Sequence, residues 1–335
     1  MTTTNPTTRA RRPDVEQVYA HLAGVFASVD LSQTDPSRYW VASLRQVMKR
    51  YGEVGKRPSL DGVAFKPVSA DGVAAEWIVP DGGASPHRIV YIHGGGWVAG
   101  AIADYRPLTA TLARLTGASV LAVDYRLAPE HRFPAGLEDC GTALAWAHDH
   151  GPDGKGKARS VSLIGDSAGG NLAAAACLQV VGAGRPVPAR LVIIAGTLDN
   201  VPNPDKVGLD DPICTPEGFA AANAAYLKPG IGPADPLVSP IYASAELLAK
   251  FPPTLIQASS TETLLFDARQ FAQRLEAAKV RVCLSIWPDL PHVWHVFVSH
   301  FPEAMLALQE IAAFVEARGS LGSYADRLAG SDTDR

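Results

Sequence analysis

Val161-Ser-Leu-Ile-Gly165-Asp-Ser167-Ala-Gly-Gly170-Asn-Leu-Ala-Ala-Ala-Ala-Cys-Leu178 is the stretch on which the fold turns. A short apolar run enters a Gly-Asp-Ser-Ala-Gly-Gly turn, and an alanine-rich segment follows at once. The run suits a buried strand and the alanines suit a helix. Only small side chains stand at positions 165, 168, 169 and 170, as a tight turn that presses backbone against backbone demands. Such a turn aims the Ser167 hydroxyl away from the strand, at a helix N-terminus where partial positive charge favours a developing anion. The G-x-S-x-G pattern alone is weak. Its strand–turn–helix setting makes Ser167 a candidate nucleophile.

Outward from this point the chain keeps one rhythm. Two alternating strands are expected at 62–68 and 73–79, joined by an Ala70-Asp71-Gly72 turn. Short apolar runs follow at 89–92, 120–123, 161–164, 191–194, 255–258 and 282–286, with helix-period segments at 108–115, 137–148, 168–181, 268–278 and 302–315. Buried strands alternating with helices predict an α/β fold with a mostly parallel eight-stranded sheet flanked by helices. Residues 14–55 read as helical, with Val15, Val18, Tyr19 and Leu22 at helical spacing and a second stretch over 40–51. The interval 200–250 holds one helical stretch, 216–226, among prolines and glycines, and is expected to form a lid. The 335 residues would by length alone suggest two domains. The pattern instead predicts a tail at 1–12, a helical cap segment at 13–55, one α/β domain at 56–318 with a cap insertion at about 200–230, and a tail at 319–335.

Composition removes whole classes of function. With 34 acidic against 30 basic residues the net charge is −4, so there is no basic excess to lay along a phosphate backbone. No apolar run approaches the ~20 residues that span a bilayer. The four cysteines show no C-x-x-C pair, which argues against a zinc site or a disulfide scaffold. The polar start lacks the apolar core of a signal peptide, and a cytoplasmic location is expected. His148-Asp149-His150 ends a helix, where the dipole favours imidazoles, so no metal site is read there. No metal or organic cofactor is implied.

His93-Gly94-Gly95-Gly96-Trp97 ends the 89–92 strand. Consecutive glycines let backbone N–H groups approach a carbonyl oxygen as it gains charge, and the Ala168 amide, next to the nucleophile, would complete such an oxyanion hole. A general base is expected after the last strand, where His292 leads and His295 is the alternative. The acid that orients it should follow the 255–258 strand. Glu262 stands nearer the strand end, whereas Asp267 would serve the next helix N-terminus. The chain order Ser167, Glu262, His292 is that of α/β-hydrolases.

These residues resemble the hormone-sensitive-lipase-like family of bacterial carboxylesterases. The resemblance rests on His93-Gly-Gly-Gly-Trp97, Asp124-Tyr-Arg-Leu-Ala-Pro-Glu-His131 with Phe133-Pro134-Ala135, Gly165-Asp-Ser-Ala-Gly-Gly170, Asp235-Pro-Leu-Val-Ser-Pro240 and Leu290-Pro291-His292-Val293. It implies ester hydrolysis by Ser167, Glu262 and His292 under a helical cap. Amides at Gly94, Gly95 and Ala168 would hold the oxyanion, with Gly96 allowing close approach. Many members carry Asp-Pro-Leu at the acid position, and Glu262-Thr-Leu resembles the branch with glutamate, which includes ε-lactone hydrolases. The substrate expected is a short-to-medium acyl ester, with a lactone as the alternative. An amidase and a non-catalytic binding module are lesser readings. Trp97, Trp294 and Tyr226 are expected to line the substrate pocket, and the edge strand at 282–286 leaves room for a homodimer.

Overall fold

The computed structural model describes residues 11–30, 32, 34–35, 38–54, 58–206, 211 and 213–316. The tail expected at 319–335 lies outside them, as do residues 1–10 of the N-terminal one. Arg12 departs from the tail reading. It precedes helix α1 (Pro13–Ala27), and its guanidinium pairs with Asp14 and with Glu303 near the other end of the chain.

Eight strands form the main sheet: β1 (Val63–Ala70), β2 (Val73–Pro80), β3 (His87–Ile92), β4 (Ser119–Val123), β5 (Ser160–Asp166), β6 (Arg190–Ile194), β7 (Thr254–Ser259) and β8 (Val282–Trp287). Their order is β1-β2-β4-β3-β5-β6-β7-β8. Only β2 runs antiparallel to its neighbours; every other pairing is parallel. Parallel strands need helical crossovers that cover both faces, and this explains why β4 and β7 are buried at every residue.

The crossover helices are α3 (Ile102–Thr116), α4 (Ala135–Asp149) and α5 (Ala168–Gly182), and the last two strands are covered by α8 (Leu265–Ala277) and α9 (Pro302–Glu316). Helix α3 starts six residues before the expected segment, because Pro107 reads as a break yet lies inside the helix. Tertiary contacts hold the early turn: Tyr105 is buried and Arg106 forks onto Glu76 at 2.6 and 2.9 Å. Helix α1, α2 (Tyr39–Met48) and α6 (Pro216–Tyr226) supply the helical cover near the C-terminal strand ends, and a four-residue α7 (Ala245–Leu248) precedes β7. Among the described residues no helix is long and apolar enough to cross a membrane.

Candidate active site

Strand β5 ends at Asp166, α5 begins at Ala168, and Ser167 alone makes the turn with φ 52° and ψ −120°. That backbone is strained for a residue with a side chain and persists only where the surroundings fix it. Here the Ser167 N–H donates to the Ile194 carbonyl at 2.8 Å. A β-carbon on Gly169 would stand 2.1 Å from the Ile92 carbonyl oxygen, so only glycine lets α5 begin so close to β3.

Ser167 Oγ lies 3.0 Å from His292 Nε2, and His292 Nδ1 lies 2.8 Å from Glu262 Oε2. The Ser259 N–H donates to the other oxygen, Glu262 Oε1, at 2.6 Å. Both His292 and Glu262 are buried. Burial works against charge on the His292 ring, but the hydrogen bond and negative charge of Glu262, with Asp211 and Asp166 adding, outweigh it and raise the imidazole above its ordinary range.

The alternatives left open by sequence lie elsewhere. Asp267 belongs to the first turn of α8, yet its carboxylate turns into the core instead of serving that helix end. There it meets Lys206 at 2.7 Å and accepts the Leu198 and Asp199 amides at 2.9 Å each. His295 is fully buried, with Nε2 2.8 Å from Gln257 Oε1, and burial drives its pKa down to about 3.

The glycine loop after β3 shows a division of labour that the sequence did not reveal. The Gly94 N–H donates to Asp166 Oδ1 at 3.0 Å and so is already engaged, which removes Gly94 from the expected donors. Gly95 (φ 117°) and Gly96 (φ 59°) turn the chain, and among the described residues no acceptor takes their amides or that of Ala168. The loop is anchored by the Tyr125 hydroxyl on the His93 carbonyl and by the Ala128 amide on the Trp97 carbonyl, both 2.9 Å. His93 stacks on Tyr125 with centroids 4.5 Å apart, and burial lowers its pKa to about 4, so it serves as a neutral structural ring.

Above Ser167 lies an apolar cavity of about 120 Å³. Trp40, Leu44 and Val47 from α2, Phe219 and Ala222 from α6, and Trp97 from the glycine loop line it. Trp294 and Tyr226, expected beside Trp97, are not among the lining residues. The left-handed turn at Val293 (φ 48°) carries the chain inward, and Trp294 packs against Trp287 and His295 with no exposed surface. Tyr226 stacks against Trp97 at 4.6 Å and supports the lining without reaching it.

Comparison with known proteins agrees with this architecture. The family described as alpha/beta hydrolase fold matches residues 89–296. The chain belongs to that family. An esterase of Acinetobacter venetianus is 32% identical over 260 residues, covering 77% of this chain and 83% of its own. An acetyl-hydrolase of Streptomyces hygroscopicus is 35% identical over 249 residues, covering 72% and 79%. A solved esterase of the bacterial hormone-sensitive lipase family superposes with a TM-score of 0.75 at 34% identity, covering 92% of this chain and 98% of its own. Within the α/β-hydrolase family the chain thus sits among the hormone-sensitive-lipase-like carboxylesterases.

Two site residues of this hydrolase escaped sequence reasoning. Asp166 is fully buried and accepts the Tyr91 hydroxyl at 2.7 Å, the Tyr105 hydroxyl at 3.1 Å and the Gly94 amide, tying the glycine loop to the serine turn. Burial pushes its pKa up to about 6 against those donors. The available signal was an acidic residue inside an otherwise small-residue turn. Asp211 accepts the Ile213 and Cys214 amides on one oxygen and the Thr263 amide on the other, fastening the insertion to the loop of Glu262. Nothing local in the sequence marks it.

Proposed function

We propose that the protein hydrolyses carboxylic esters of short-to-medium acyl chains through an acyl-enzyme on Ser167. The observation that carries this is the hydrogen-bonded line of hydroxyl, imidazole and carboxylate, at 3.0 and 2.8 Å, at the foot of an apolar cavity. His292 takes the Ser167 proton as Oγ bonds to the ester carbonyl carbon, and Glu262 keeps Nδ1 protonated and balances the imidazolium. The Gly95, Gly96 and Ala168 amides receive the oxyanion, each worth roughly 10²–10³ in turnover. The C–O bond then breaks, with His292 giving its proton to the leaving alcohol. Water repeats the sequence to release the acid and restore Ser167.

Acyl size follows from volume. A dry engineered cavity of roughly 150 Å³ holds one benzene, so about 120 Å³ favours acyl chains of a few carbons. The names of relatives point the same way: one is an acetyl-hydrolase, and a solved neighbour at 31% identity was soaked with p-nitrophenyl butyrate. The test is a p-nitrophenyl ester series with fluorophosphonate labelling. The expected result is a kcat/KM maximum at short chains, with label on Ser167 and neither activity nor label in Ser167→Ala. A maximum at twelve-carbon or longer chains, or an active Ser167→Ala, would overturn the reading.

A further inference from the structure

Two side chains of the N-terminal arm reach beyond the cavity lining to the loops that carry the reacting groups. Arg45, in α2, donates Nε to the Val98 carbonyl at 2.7 Å and Nη2 to the Ala128 carbonyl at 3.1 Å. The same guanidinium forks onto Glu130 at 2.9 and 2.6 Å. Val98 belongs to the turn that presents the free glycine amides, since the Val98 and Ala99 N–H groups both donate to the Gly95 carbonyl. Tyr51, just beyond α2, is buried and donates its hydroxyl to the His292 carbonyl at 2.7 Å, with its ring against Phe297.

The peptide that Tyr51 holds is the one leading into Val293, whose φ of 48° and ψ of 47° are unfavourable for a β-branched residue. A strained turn persists only when its surroundings over-determine it. Tyr51 is one such determinant, and it sits on the residue whose ring must meet Ser167 Oγ. Arg45 bears in the same way on the turn that carries the oxyanion donors. The motif 124–131 supplies the anchor: Glu130 and the Ala128 carbonyl fix the guanidinium that grips Val98.

We infer that residues 45–51 of the arm are part of the machinery of the reaction and not merely a lid. Arg45 is a positioning residue for the oxyanion turn, and Tyr51 is one for His292. The inference rests on the proposed serine-esterase reading and goes beyond it, because it couples seating of the arm to the chemical step. A lid that only shapes the pocket alters KM when its contacts are lost. An arm that aims reacting groups alters kcat, since misplacement of a fraction of an ångström to 1 Å costs roughly 10- to 100-fold.

The experiment measures kcat and KM on p-nitrophenyl butyrate for the full-length wild type, Tyr51→Phe and Arg45→Gln. Each is assayed well below its own melting midpoint, with fluorophosphonate labelling of the wild type alongside. The expected result is a fall of about tenfold in kcat for each variant, with KM within about twofold. Tyr51→Phe keeps the ring and the packing, so it carries the test even if Arg45→Gln fails to fold. If kcat stays within twofold of wild type, or if only KM rises, the inference is overturned. If the wild type itself fails to label at Ser167, the esterase reading has failed instead, so the two failures are distinguishable.

Discussion

Glu262→Gln is the substitution through which the site can be tested most directly. In the wild type each carboxylate oxygen has its own donor: the Ser259 amide on Oε1 at 2.6 Å and His292 Nδ1 on Oε2 at 2.8 Å. Glutamine offers one oxygen and one NH₂, so it cannot satisfy both. With its oxygen toward His292, the NH₂ faces the Ser259 N–H, and a buried donor goes unpaired at a cost of about 1–3 kcal/mol in stability. With its oxygen toward Ser259, the NH₂ forces Nδ1 to accept. The proton then moves to Nε2 and points at Ser167 Oγ, leaving no base. Either way the anion that supports the imidazolium is lost. Loss of a charged hydrogen bond and inversion of the tautomer together place the fall in kcat/KM at roughly 10²–10⁴. The assay is kcat/KM on p-nitrophenyl butyrate from pH 5 to 9, with urea unfolding in parallel. In the wild type the acid limb should lie above the ordinary imidazole value of 6.5, because Glu262 raises His292, and in the variant it should move down. Asp267→Asn is the control. It breaks the pair with Lys206 and should lower stability while leaving the limb in place. Glu262→Gln with more than half of wild-type activity, or a limb that moves only in Asp267→Asn, would refute the reasoning.

Gly95→Ala should abolish most turnover, by roughly 10²–10³, since the new β-carbon would lie 2.2 Å from the Ala99 carbonyl oxygen on a backbone of φ 117°. Activity within fivefold of wild type would show that this turn does not hold the oxyanion. His295→Gln addresses stability. Burial holds that ring at about 3, so as pH falls below 6.5 the unfolded chain takes up a proton that the fold refuses. Its contribution is whole above 6.5 and shrinks by about 1.4 kcal/mol per pH unit on the way down. Urea unfolding should therefore show the variant gaining about 2 kcal/mol on wild type between pH 7 and pH 5, and a difference independent of pH would contradict the assignment.

The strand–turn–helix at 161–178, the alternation of the sheet and the glycine loop were legible because short-range sterics fix them. Only certain residues survive a turn such as Ser167's, and only apolar runs survive burial on both faces. Sequence also confined the acid to Glu262 or Asp267 and the base to His292 or His295. Position along the chain put Glu262 and His292 first, but it could not show which side chain faces which, because each pair lies within five residues. The choice depends on which way a side chain turns: Asp267 is claimed by Lys206, sixty-one residues earlier, and His295 by Gln257.

The same reason explains the other departures. Gly94 is withdrawn from the donor set by a carboxylate 72 positions away, Trp294 is turned into the core by a left-handed residue, and the His292 carbonyl is held by a hydroxyl 241 positions earlier. By itself the sequence determined the kind of chemistry, since that chemistry is written in local backbone demands around Ser167 and the glycines. Only the tertiary structure decided which donors are free, which acid faces the imidazole and which part of the arm grips the reacting loops, because those follow from contacts between segments that meet only when the chain is packed.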